Sequence, residues 1–160
     1  MIYFSSQFSE ANSNVIEYNG KKVFRNDRFD STGKHRIKFN FISSKEKYEQ
    51  CIVLALLNFE GNIFWNNKKY EKPNSKFPTL DLFEKDYGKE FILDVELESG
   101  YFGIYNGVIE EPEDNCVEYC SWGCAMIIEE LSPVKKRYYC NDIDNDDDFD
   151  DLIFEIEILD

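Results

Sequence analysis

The chain has 160 residues, of which 42% are hydrophobic and 16% are aromatic, so it is long and apolar enough to fold as one domain over residues 1–160. Its 32 acidic residues outnumber 18 basic ones, and the formal net charge of −14 argues against DNA or RNA as a partner because phosphates would be repelled. No apolar run approaches the roughly 20 residues of a membrane span, and the first residues lack a secretory signal. We therefore expect a cytoplasmic protein that does not bind membranes, or a secreted one if a signal peptide was removed.

Alternation of apolar and polar residues predicts β-strands along most of the chain. Residues 1–14 lack this pattern and are predicted to be a flexible arm or an added edge strand. In chain order, the nine predicted strands are residues 21–25, 35–41 (HRIKFNF), 51–59, 62–65, 90–98 (EFILDVELE), 101–106, 124–130, 136–140 and 152–159 (LIFEIEIL).

Turn signals separate these strands, among them Asn-Gly at 19–20, Glu-Gly-Asn at 60–62 and Asn-Gly at 106–107. The only predicted helix is short, over residues 79–85 (TLDLFEK), with Thr79 as its N-cap. About nine strands with turns at short spacing predict an all-β fold. We expect an antiparallel two-sheet β-sandwich with jelly-roll-like connections and at most one short helix.

Seven aspartates lie within residues 142–151, named here the acidic loop, directly before the last predicted strand. Alternate side chains of an extended backbone point the same way, so Asp146, Asp148 and Asp150 are expected to converge while Phe149 points toward the core. Carboxylates this close repel one another unless a cation compensates them. Calcium tolerates such an irregular set of oxygen ligands best, and magnesium ranks second. The predicted calcium ligands are Asp144, Asp146, Asp148, Asp150 and Asp151.

A run of aspartates has three explanations: a disordered acidic tail, a surface for a basic partner, and a metal site. A tail fits poorly because the loop contains Phe149 and is followed by a patterned strand. An EF-hand is excluded because Phe149 stands where its sharp turn needs glycine and because no helices flank the loop.

The segment DDDFDDLIFEIEIL, residues 146–159, resembles the C-terminal motif Asp-x-Asp-Phe/Tyr-Asn/Asp-Asp-apolar of several calcium-binding β-sandwich families. These include the bacterial calcium-dependent fucose/mannose-binding lectins, and the resemblance extends over residues 125–160. It implies calcium ligands at the first, third, fifth and sixth motif positions, which are Asp146, Asp148, Asp150 and Asp151. The preceding AMIIEELS is similar to the strand that often precedes the motif, which implies Glu129 or Glu130 as a further ligand.

Few other residues of the sequence suggest metal binding or catalysis. A zinc site would need Cys116, Cys120, Cys124 and Cys140, whose spacing matches structural zinc sites poorly, and reduced thiols are the simpler interpretation. The single histidine, His35, stands at a strand start and is interpreted as a surface residue. Because no catalytic motif occurs, we expect a binding protein rather than an enzyme.

Two functional hypotheses follow from these patterns. The first is a calcium-binding β-sandwich module that recognises a carbohydrate or another polar ligand, with Trp122 and Tyr119 near a turn as candidate ligand-binding aromatics. The alternative is an acidic cytosolic interaction protein, such as an immunity-type inhibitor, that neutralises a basic partner protein through complementary charge.

Overall fold

Two antiparallel sheets account for the alternating pattern, so the predicted two-sheet β-sandwich is confirmed in the computed structural model. The structure describes residues 3–113, 115–119, 123–144 and 146–160. Its helices are α1 (Phe4–Ala11) and α2 (Glu84–Tyr87). Its strands are β1 (Val15–Tyr18), β2 (Lys21–Phe24), β3 (Asp27–Phe29), β4 (Gly33–Ser44), β5 (Glu49–Ala55), β6 (Phe59–Trp65), β7 (Lys68–Lys69), β8 (Thr79–Leu82), β9 (Glu90–Gly100), β10 (Phe102–Ile109), β11 (Val117–Glu118), β12 (Ala125–Ser132), β13 (Lys135–Asn141) and β14 (Leu152–Ile158).

The larger sheet has nine strands in the order β1-β2-β12-β13-β14-β4-β9-β6-β7. The second sheet has the order β11-β10-β5-β8, and β3 pairs with β10 beside it. The main core lies between the sheets, because the inward residues of both contribute to one apolar cluster that includes Phe39 and Phe154 from the larger sheet and Leu54 and Phe102 from the smaller one. The acidic loop connects β13 to β14 in the middle of the larger sheet.

Each of the nine predicted strands corresponds to a strand of the structure, although residues 51–59 do not form one continuous strand. There β5 ends at Ala55 and β6 begins at Phe59. The described residues form fourteen strands rather than nine, because β1, β3, β7, β8 and β11 have only two to four residues each. Segments this short show too little alternation to be recognised in the sequence.

Two predicted turns are wrong. Asn-Gly at 106–107 lies inside β10, where a Cβ on Gly107 would come within 2.6 Å of Val53 Cγ2 and 2.9 Å of Val117 Cγ1. Close side-chain packing, rather than a turn, therefore requires this glycine. Glu-Gly-Asn at 60–62 lies inside β6, where Gly61 marks an irregularity in the pairing with β9.

The predicted helix over residues 79–85 is also wrong. Its first part is strand β8, in which Leu80 and Leu82 alternate inward with 4% and 0% exposure. Only the single helical turn α2 follows, and it begins after Phe83 rather than at Thr79. No helix in the described ranges is long and apolar enough to cross a membrane.

The N-terminal residues form a helix rather than the predicted flexible arm or edge strand. In α1, Phe4 and Phe8 are one helical turn apart and are 0% and 1% exposed. They form a second apolar cluster with Val23, Ala125 and Phe149. Ala125 and Ile127 of β12 belong to this cluster whereas Met126 and Ile128 belong to the main core, so the second cluster lies on the outer face of the larger sheet.

Candidate metal centre

The start of the acidic loop is anchored by a buried asparagine at the end of β13. Asn141 donates its Nδ2 hydrogens to the carbonyl oxygens of Gly123, at 3.0 Å, and Asp146, at 2.7 Å. Asn106 of β10 in turn donates from Nδ2 to the carbonyl oxygen of Asn141 at 2.8 Å. The loop also passes so close to Gly123 that a Cβ there would overlap the carbonyl oxygen of Asp144. These contacts fix the loop against both sheets.

Phe149 fixes the other half of the loop. Its side chain is only 7% exposed and its ring centroid lies 5.4 Å from that of Phe4, so it points to the apolar side as the sequence predicts. Its φ of 53° is in the left-handed region that a bulky residue seldom adopts. The extended alternation is therefore interrupted at Phe149, and the direction of the two aspartates that follow is changed.

Three carboxylates converge as a consequence of this geometry. Asp146, Asp148 and Asp151 each offer one oxygen, and the three oxygens lie within 4.8 Å of one another. We call these residues the three-carboxylate group. Asp151 is 4% exposed and its Oδ2 accepts a hydrogen bond from the Asp142 N–H at 3.0 Å, whereas the other two side chains are exposed. One member is thus rigidly placed and two are accessible from solvent.

Lys45, just after β4, supplies a positive charge to this group. Its Nζ lies 2.8 Å from Asp148 Oδ2, 2.6 Å from Asp150 Oδ1 and 3.7 Å from Asp151 Oδ1. The Lys45 N–H also donates to the Asp151 carbonyl oxygen at 2.9 Å, which holds the backbone of Lys45 beside the loop. A single ammonium therefore compensates part of the negative charge of the three-carboxylate group.

Burial and the negative charge that Lys45 does not neutralise shift the pKa values of the three-carboxylate group. Burial, followed by repulsion from Asp142 and Asp148, raises the pKa of Asp151 to about 7. Burial and then repulsion from Asp148 raise the pKa of Asp146. Burial also acts to raise the pKa of Asp148, but hydrogen bonds from Lys45 and Asp150 outweigh it and the pKa is lowered. The group is therefore only partly neutralised by Lys45.

Sequence reasoning missed the inner layer of this loop, which is formed by Asp142 and Gln50. Asp142 is 2% exposed, and its carboxylate accepts hydrogen bonds from Gln50 Nε2 at 3.1 Å and from the Asp144 N–H at 2.9 Å. Burial raises the pKa of Asp142. Gln50 Oε1 and Asn141 Oδ1 are buried oxygens with no hydrogen-bond partner in the part of the chain that the structure describes. The loop is thus richer in oxygen acceptors than in donors.

The other predicted metal ligands lie outside the three-carboxylate group. Asp150 is exposed and pairs with Lys45. It lies outside the group because the backbone turns at Phe149, so that Asp151 points inward instead. Asp144 pairs with Lys47 at 2.7 Å and accepts a hydrogen bond from the Tyr48 hydroxyl at 3.1 Å. Glu130 is exposed on β12, opposite Lys136 of β13 in the register.

The remaining candidate residues are dispersed. Tyr119 stacks edge-on against Tyr105 with ring centroids 5.2 Å apart and lines a separate cavity of about 160 Å³, and Trp122 lies outside the described residues. His35 is mostly buried, and its Nδ1 lies 2.7 Å from Asp160 Oδ2, so it is not simply a surface residue.

The four cysteines that a zinc site would need do not form a metal-binding group among the residues described. Cys116 is exposed, Cys124 and Cys140 are buried, and Cys120 lies outside the described residues. The aspartates are therefore the group of side chains with the strongest metal-binding geometry in the described ranges. Two oxygens at about 2.3–2.6 Å from one calcium ion are at most about 5.2 Å apart. The spacing within the three-carboxylate group is compatible with that limit.

Comparison of the chain with protein-family models, with curated proteins and with solved structures gave no match.

Proposed function

We propose that this protein is a calcium-binding β-sandwich module in which Asp146, Asp148 and Asp151 hold the ion. The observation that carries the proposal is the convergence of three carboxylate oxygens within 4.8 Å of one another. Calcium takes six to eight oxygen ligands and accepts irregular geometry, so water and carbonyl oxygens would complete the shell.

The surroundings of the group support this proposal in two ways. The loop is anchored to both sheets through Asn141 and Phe149, so the carboxylates are held together before any ion binds. Gln50 and Asn141, which contact the acidic loop, each have a buried amide oxygen without a hydrogen-bond partner among the described residues, and such oxygens add to its excess of acceptors. The ion would add positive charge to the three-carboxylate group, which Lys45 compensates only in part.

Thermal unfolding in excess EDTA, and then in millimolar calcium, magnesium or zinc, tests the proposal. A ligand present at 100 times its Kd raises the free energy of unfolding by about 2.7 kcal/mol. For a domain of this size, that change raises the Tm by about 5–11 °C. We expect such a rise with calcium and a smaller one with magnesium.

A pair of double variants shows whether the ion binds where proposed. Asp148→Asn with Asp151→Asn removes two ligands, and we expect the calcium-dependent rise to disappear. Asp144→Asn with Asp150→Asn removes the same charge from the same loop but spares the three-carboxylate group, and we expect most of the rise to remain. Equal losses in both variants, or no rise in the native protein, would overturn the proposal.

Carbohydrate recognition through the ion is the finer function that the lectin resemblance implies. A glycan array screened with calcium and again with EDTA tests it directly. Binding that depends on calcium and is lost in Asp148→Asn with Asp151→Asn would support a lectin function, whereas a calcium response without glycan binding would leave a structural ion.

A further inference from the structure

A groove of about 420 Å³ opens on the outer face of the larger sheet, beside the acidic loop, and shares one residue, Asp148, with the three-carboxylate group. Its floor is apolar and consists of Val23, Ile127 and Phe149, which belong to or pack against the second apolar cluster. Tyr18 of β1 and Tyr139 of β13 form aromatic walls. We call this cavity the tyrosine groove.

Two carboxylates at the rim of the tyrosine groove accept hydrogen bonds from its tyrosines. Asp147 accepts a hydrogen bond from the Tyr18 hydroxyl at 2.9 Å, and Glu129 accepts one from the Tyr139 hydroxyl at 3.2 Å. Within the described ranges, neither forms an ion pair with a lysine or arginine. Neighbouring acids differ, since Asp148 pairs with Lys45 and Glu155 with Arg137.

The net charge of the groove is negative. Glu129, Asp147 and Asp148 line it together with one lysine, Lys21, and Lys45 pairs with Asp148 from outside the lining, which leaves one negative charge in excess. The whole chain carries a net charge of −14, so the long-range field also attracts cations. A ligand with a positive charge and a flat or apolar portion complements both the rim and the walls.

We propose that the tyrosine groove docks an arginine side chain presented by a basic partner protein. A guanidinium group is planar, stacks on tyrosine rings and donates in a fork that matches carboxylates such as Glu129 and Asp147. The methylene stem of the arginine would lie on the apolar floor. Tyrosine and arginine are also enriched among the residues that dominate protein–protein affinity.

This proposal does not require calcium, because the two rim carboxylates, Glu129 and Asp147, are not in the three-carboxylate group. The binding experiment is therefore carried out in EDTA. The probe is a fluorescein-labelled Gly/Ser peptide with two arginines, and the matched probe replaces both by citrulline, which keeps the shape and removes the charge. Fluorescence anisotropy at about 0.15 M salt, where the Debye length is about 8 Å, suppresses long-range attraction.

We expect the arginine peptide to bind about tenfold more tightly than the citrulline peptide. Glu129→Gln with Asp147→Asn should abolish most of that difference. The control, Glu130→Gln with Asp30→Asn, changes the net charge equally at two exposed positions outside the groove and should bind within about twofold of the native protein. Unchanged thermal unfolding of both double variants shows that they are folded.

Three results would overturn the proposal. They are absence of binding by the arginine peptide, equal binding of the two peptides, and equal weakening by the groove and control variants. The last result would mean that net charge alone attracts the peptide.

Discussion

In the metal-free protein, the pH dependence of the free energy of unfolding measures how much the buried Asp151 carboxylate destabilises the fold. Burial, followed by repulsion from Asp142 and Asp148, raises its pKa from 3.8 to about 7. The native protein therefore keeps this proton over an interval in which the unfolded chain has released it. Because the native state binds more protons there, the free energy of unfolding falls as the pH rises from about 3.8 to about 7.

The size of the effect follows from the two pKa values. Each pH unit between them is worth about 1.4 kcal/mol, so the full loss is at most about 4 kcal/mol. Between about pH 5.5 and about pH 8.5 the expected loss is about 2 kcal/mol. Throughout this interval the pH is above the pI of the protein, which is about 4.5. For a domain of this size the loss corresponds to about 4–8 °C in Tm.

Asp151→Asn isolates this contribution. The asparagine oxygen still accepts the hydrogen bond from the Asp142 N–H, while the charge is removed. We expect the variant to become more stable relative to the native protein by about 2 kcal/mol as the pH rises over that interval. Urea unfolding in EDTA, followed by circular dichroism at several pH values, measures the difference.

Asp150→Asn is the matched control for this experiment. It removes the same charge from the next position, where the side chain is 51% exposed and pairs with Lys45. Its stability profile should run parallel to that of the native protein. If the profile of Asp151→Asn is parallel as well, Asp151 does not bear the cost assigned to it, and the reasoning from its burial is refuted.

Three further predictions concern packing and thiol reactivity. Phe4→Ala should lower the free energy of unfolding by about 3 kcal/mol in urea titrations, because the ring is fully buried beneath the acidic loop. Gly123→Ala should cost about 1–3 kcal/mol and reduce the calcium-dependent rise in Tm, because its Cβ would displace the loop at Asp144. At pH 7.5, iodoacetamide followed by mass spectrometry should label exposed Cys116 but not Cys140, whose burial both blocks access and raises its pKa.

Much of the sandwich could be predicted because half-buried strands preserve a period of two. Two identical Asn-Gly dipeptides show where prediction from the sequence fails. Asn19 and Gly20 have φ values of 50° and 77° and form the hairpin turn between β1 and β2. Asn-Gly at 106–107 lies within β10 because Gly107 packs against Val53 and Val117. The local sequence is the same, and only tertiary packing distinguishes the two.

The candidate site was predictable in part for the same reason. Alternation brings together Asp146 and Asp148, but the positive φ of Phe149 replaces Asp150 by Asp151 as the third member. Phe149 packs against Phe4 of α1, a helix that the sequence did not predict, so this part of the geometry could not be anticipated. Lys45 comes from a strand end 103 residues before Asp148, and no local pattern could indicate that contact.

Asp148 connects the two proposed sites, since it belongs to the three-carboxylate group and also lines the tyrosine groove. A calcium ion there would place two positive charges beside the groove, and a guanidinium in the groove would place one beside the calcium site. Each would therefore weaken binding of the other, and by linkage the factor must be the same in both directions. The Lys45 ammonium, which lies 2.8 Å from Asp148 Oδ2, likewise opposes the binding of a further cation there. On these two proposals, calcium and a basic partner would compete with each other, and with Lys45, for the negative charge of Asp148.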